Sequence, residues 1–232
     1  MTDFIVTEPL ARKVLETVDA GLVSGLGEPK PGHMCVEAAV CYAMGLPHSD
    51  RPTCVGNAVR RFKIRLNDAR WSSNEARAAG MRKLAIAQLG SDSIDQKAFA
   101  RIVAEQTIRK IVPIALRAAA KRVPEYADAL EGAALRCEQE GTGAAARKAR
   151  EVARAAYADA AADAAAYADA AADAAAYADA YAAAYAAAAA YAAAYAARDS
   201  VLIKSAEIGL AALIKLGSPG CAYLFLTEEK AA

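Results

Sequence analysis

Between Ala144 and Ala197 the chain contains no glycine and no proline, and about two-thirds of its residues are alanine, the strongest intrinsic helix former. That segment has one ready conformation, a helix. As a single straight rod it would extend ~80 Å at 1.5 Å per residue, well beyond the ~45 Å width of a compact domain of this size. It therefore protrudes, folds back in mid-tract, or lies along a second subunit. Within it the decad AADAAAYADA occurs twice in tandem, at 161–170 and 171–180. Ten residues fall ~80° short of whole turns, so the stripes wind around the axis. The tyrosines from Tyr167 to Tyr195, with Tyr181 and Tyr185 at their centre, still gather on about a third of the circumference, opposite paired aspartates. Alanine faces leave little side chain between helices, so close packing or a homo-oligomer through the tract is expected, with tyrosines filling the gaps.

Outside the tract, apolar residues recur at i, i+3, i+4 and i+7, and strand-like alternation is almost missing. The expected fold class is all-α, a multi-helix bundle with the Ala/Tyr/Asp-rich segment near the C-terminus. Helices are expected over Pro9–Leu22, Met34–Met44 and Thr53–Leu66, then from near Ser73 to a stop at Gly90, where Ser72 and Glu75 have capping-box spacing. A further helix over Gln96–Lys121 should kink at Pro113, and another spans Pro124–Glu140. This divides the chain into an N-terminal body (1–142), the Ala-rich segment (143–198), and a C-terminal helix and tail (199–232).

With 28 Lys and Arg against 27 Asp and Glu, no global field favours a nucleic-acid polymer or an anionic membrane as partner. Five widely spread cysteines and an N-terminus lacking a charged-then-apolar pattern suggest a reducing, cytoplasmic setting. The uncharged run 180–197 lacks Leu, Ile, Val and Phe, so it reads poorly as a membrane span.

Polar chemistry is densest in GHMCVEAAVCYAMGLPHSDRPTC, which holds both histidines. His33, Cys35, Cys41, His48 and Cys54 are candidate zinc ligands, although Cys-x-x-Cys pairs are missing; small buried thiols are the simpler reading. Cys54 at a helix N-terminus would have a lowered pKa, with His48 as base and Asp50 as orienting group, whereas Ser49 or Asp50 as a helix cap is the ordinary explanation. No cofactor is implied. Downstream, RRFKIR sets Arg60, Arg61, Lys63 and Arg65 opposite an apolar stripe, and Trp71, the single tryptophan, follows. Arginines beside an aromatic plate suit a phosphate-bearing base or an acidic protein surface. A second basic stripe, Arg147, Arg150 and Arg154, opens the alanine helix, where positive charge opposes the macrodipole and a bound anion or acidic helix would favour it.

The order SIDQKAFARIVAEQTIRKIVPIALRAAA, a short helix ending ALRCEQEGT, and then the Ala-rich tract resembles an alanine-rich family of predicted immunity proteins found in bacterial polymorphic-toxin systems and phages. The upstream block from Cys35 through AQLGS is similar to uncharacterised proteins of bacteria and their phages that share the tract. The resemblance covers about Cys35 to Ser200 and implies an all-α protein that binds rather than catalyses; no catalytic residue carries over from it. The expected function is neutralisation of a protein toxin or host defence factor, with His48, Asp50, Arg60, Arg61, Lys63, Arg65, Trp71, Arg147, Arg150, Arg154, Tyr181 and Tyr185 as contacts. Sequestration of a small phosphorylated or nucleotide signal is the alternative, followed by a Cys/His enzyme or a self-assembling scaffold.

Overall fold

A computed structural model describes residues 5–156 and 198–228 of the 232-residue chain. Among these residues there are nine α-helices and no strand, so the chain is all-α. None of the described helices is long and apolar enough to cross a membrane.

Helix α1 spans Glu8–Asp19, with Thr7 as cap and Pro9 in its first turn, a position where the missing N–H costs nothing. It stops three residues before Leu22, because Gly21 takes a positive φ and turns the chain into the glycine-rich loop. Helix α2 is Val36–Ala43. Helix α3 is Asn57–Asp68, starting four residues after the expected Thr53. Gly56 is its cap: the Gly56 N–H donates to Ser91 Oγ at 3.2 Å, and Gln96 Oε1 accepts from the Ala58 N–H at 3.1 Å. Neither Ser49 nor Asp50 caps this helix.

Helix α4, Asn74–Ala87, is capped by Ser73, whose hydroxyl accepts from the Ala76 N–H. Ser72 is engaged elsewhere, its N–H and hydroxyl both bonded to Asp199. Asp95 caps α5, Gln96–Lys110, through the N–H groups of Lys97 and Ala98. The single kinked helix expected over Gln96–Lys121 is two helices: Ile111 leaves the regular backbone at φ −104°, and α6, Val112–Ala120, begins with Pro113 in its first turn. A proline has no N–H to continue the ladder, so the break falls just ahead of it. Helix α7 covers Ala127–Glu140, α8 Gly143–Ala156 and α9 Arg198–Lys215; a 3-10 segment, Pro219–Thr227, follows.

Two large buried clusters organise these helices, beside a small one of Met34, Cys35 and Ala38. The larger gathers α1–α5, α9 and the final 3-10 segment around Val40, Phe62, Leu66, Met81, Leu84, Phe99, Leu202 and Leu213. Phe62 and Phe99 meet edge to face at 6.0 Å, and Gly209 of α9 lies flat against Phe62 where any Cβ would collide. The smaller cluster joins Ile108 at the end of α5 to α6, α7 and the alanine face of α8. The seam between them runs through α5. The start of the alanine tract thus shares a core with α6 and α7, while α9 returns to the first cluster.

Candidate functional site: the third helix and its charged neighbours

Helix α3 lies against α2, α4, α5 and α9. Contacts on several sides widen its buried arc beyond the stripe of Val59, Phe62 and Leu66, and Lys63 falls inside it. Of the four cations in RRFKIR, only Arg61 and Arg65 are exposed; Arg60 is half-buried.

Lys63 Nζ sits 3.4 Å from Glu37 Oε1 of α2, with both side chains wholly shielded from solvent. The separation permits attraction, but neither carboxylate oxygen nor the ammonium completes a well-directed hydrogen bond. Burial pushes the Glu37 carboxyl up to about 7, against the pull of Lys63 and then Arg60. Burial lowers Lys63, and Glu37 opposes that shift. One layer further out, Asp50 lies 3.7 Å from Arg60 and 3.8 Å from Arg51. His48 Nε2 donates to the Gly27 carbonyl at 3.0 Å and fastens this loop to the glycine-rich segment. His48, Asp50 and Arg60 are therefore drawn to one edge of α3, each already holding a neighbour.

The thiols do not form a reactive centre. All five are unbridged. Cys54 precedes α3 by three residues and is buried, its Sγ 3.5 Å from Met44 Sδ. Desolvation pushes it up to about 11, so the lowered pKa expected for Cys54 is overturned. Cys35 does occupy a helix N-cap, its Sγ accepting from the Ala38 N–H at 3.4 Å, and burial still outweighs that bond and raises it to about 11. Cys41 is raised likewise. Among the described residues no three His, Cys, Asp or Glu side chains converge in a way that could hold a metal ion, and His33 is exposed on its loop.

Trp71 is buried, its Nε1 donating to the Leu66 carbonyl at 2.9 Å and its ring lying over Gly80. It pins the end of α3 to α4 and presents no stacking plate. Arg77, also buried, supports the same corner by donating to the carbonyls of Asn67 and Leu22 at 2.8 and 3.1 Å. On α8, Arg147 and Arg154 are exposed on the side away from Ala145, Ala146, Ala149 and Ala153, and Arg150 is half-buried at the margin of that alanine face, its Nε shielded from solvent. That helix lies on α5, α6 and α7, in the other cluster from α3. Tyr181 and Tyr185 lie outside the described residues.

Sequence reasoning missed Glu37. Its signal was a lone acid within the otherwise apolar VEAAVCYA, a pattern that calls for a buried cation. What the arrangement offers chemically is fixed positive charge at the outer edge of α3, above a buried ion pair. No family model, no curated protein and no solved structure matches the chain.

Proposed function

We propose that the protein is a non-enzymatic binding protein of the cytoplasm that neutralises a protein toxin or a host defence factor, in an immunity or counter-defence role. The observation that carries this reading is the α3 edge, where Arg61 and Arg65 project to solvent beside an Arg60 steadied by Asp50. Arginine on a rigid helix loses little freedom when it meets carboxylates, and it is enriched among binding hot spots. The buried, raised thiols support binding over cysteine chemistry. A captured nucleotide is a weaker reading, since Lys63 is committed to Glu37 and Trp71 is buried.

The test is charge reversal at two exposed positions, Arg61→Glu with Arg65→Glu. Toxins from the gene neighbourhood are co-expressed with each form in a bacterial host. The wild type should restore growth, and the double variant, with an unchanged helical circular dichroism spectrum, should lose at least about 2 kcal/mol of affinity, roughly 30-fold, and fail to rescue. Full rescue by the variant removes α3 from the interface. Native mass spectrometry separates the nucleotide reading, because a bound signal molecule would add a few hundred daltons that vanish on denaturation.

A further inference from the structure

A groove of about 510 Å³ runs between α4 and α9, on elements that play no part in the α3 edge. Its α4 wall is built from Ala76, Ala79, Gly80 and Leu84, small apart from the last, and its α9 wall from Ile203, Ala206 and Leu210. Ile203 leaves 43 % of its surface exposed there. On each wall the lining positions recur at helical spacing, so the groove follows both helices for about 12 to 16 Å, two to three turns. Small side chains let another backbone come close, and a trough between two helices is the shape into which a third helix lays its ridge.

The rim charges are sorted by wall. Arg82 and Lys83 belong to α4, Asp199 and Glu207 to α9. Arg82 and Asp199 are engaged internally: Arg82 grips Asp19 through two bonds of 2.7 and 3.0 Å, and Asp199 accepts from the Ser72 N–H at 2.9 Å. They fix the frame. Lys83 and Glu207 stand exposed on opposite sides. We propose that this groove is a docking site for one amphipathic helix of a partner protein, with an apolar stripe of two to three turns flanked by acidic residues on one edge and basic residues on the other. Reversing the helix direction exchanges its flanks, so the requirement is opposite charge on the two edges, in either direction. The proposal adds a second surface to the protein-binding reading, and peptide binding here succeeds or fails whether or not α3 captures a toxin.

The experiment uses the full chain and labelled synthetic helical peptides of about 14 residues that share one Leu/Ala stripe, long enough to span the groove. Their flanks are Glu/Lys, Glu/Glu or Lys/Lys, and fluorescence anisotropy reads binding. The Glu/Lys peptide should bind at least about tenfold tighter than either uniform peptide. Lys83→Glu makes both rims acidic and should shift the preference to the Lys/Lys peptide, while Ala79→Trp, an exposed position, should abolish binding without moving the melting temperature. Ile203→Asp provides a second block from the other wall. Equal binding of all three peptides, no binding, or binding that survives both Ala79→Trp and Ile203→Asp overturns the proposal. So does a wild-type dimer that Ala79→Trp converts to monomer, which would make a second copy of the chain the occupant.

Discussion

Glu37 and Lys63 give up hydration on entering the helical core, and a 3.4 Å contact without directed hydrogen bonds restores only part of it. The consequence is a pH dependence of fixed sign. Glu37 titrates near 7 when folded against an ordinary value of 4.5, so between those limits the native state keeps a proton the unfolded chain has released. Stability should fall as pH rises through that window, by at most about 1.4 kcal/mol per pH unit, and level off above it. Lys63 shifts the other way, its native form losing a proton before the unfolded chain does, so its contribution grows with pH above its lowered folded value. Urea denaturation at intervals from pH 5 to 8 checks this, and Glu37→Gln should flatten the slope. Lys63→Met alone strands the carboxylate and should cost about 3–5 kcal/mol at pH 8, less at pH 5 where Glu37 is protonated. Lys63 stands one turn from both Val59 and Leu66, at the margin of the apolar stripe, and grouping it with its arginine neighbours on the solvent side overlooked that position. Trp71 was not legible for a different reason: its partner Gly80 is a bare position nine residues downstream.

At the level of single helices, the ends were the readable parts wherever one residue type settles the geometry. Gly141 ends α7 in the left-handed conformation at φ +62°, and the guanidinium of Arg109 donates to the last three carbonyls, those of Glu138, Gln139 and Glu140. A cation there also offsets the negative end of the helix. Gly141→Ala adds both a disfavoured φ and a Cβ that would press on Arg109, and should cost about 2 kcal/mol in chemical denaturation, more than a φ penalty alone. Arg109→Ala should lose about 1–2 kcal/mol, and the double variant less than the sum, since one clash disappears with its partner. Gly90 and Gly141 were legible as stops, and Pro113 as a kink in one helix, not as the division into two helices that it makes. The start of α3 was not, because Ser91 and Gln96, distant in sequence, satisfy the N–H groups that a local Ser or Asp would otherwise take. The α3 arginines were legible as a group, but which of them reach solvent depended on α2.

Across the whole molecule, the two clusters differ in substance. Among the described residues, eight of the thirteen buried in the smaller one are alanine, which removes far less apolar area from water per residue than the Phe, Leu and Met of the larger. Amides of α6, α7 and α8 should therefore exchange through partial openings of lower free energy than those of α3 and α4, with the boundary inside α5 near Ile108. Hydrogen–deuterium exchange resolved by peptide would show it; uniform protection from α3 to α8 would mean that α5 couples the clusters into one unit. Composition announced a helix at the start of the tract, but not which neighbours it would choose. The return of α9 to the first cluster sets the order of events at birth. Leu202, Leu213 and the Gly209 surface that meets Phe62 emerge from the ribosome only after the residues that link α8 to α9 have been synthesised. At about 5–20 residues per second, the nascent chain spends on the order of several seconds with one side of its larger core uncovered, a time in which a chaperone, or a waiting partner, meets it first.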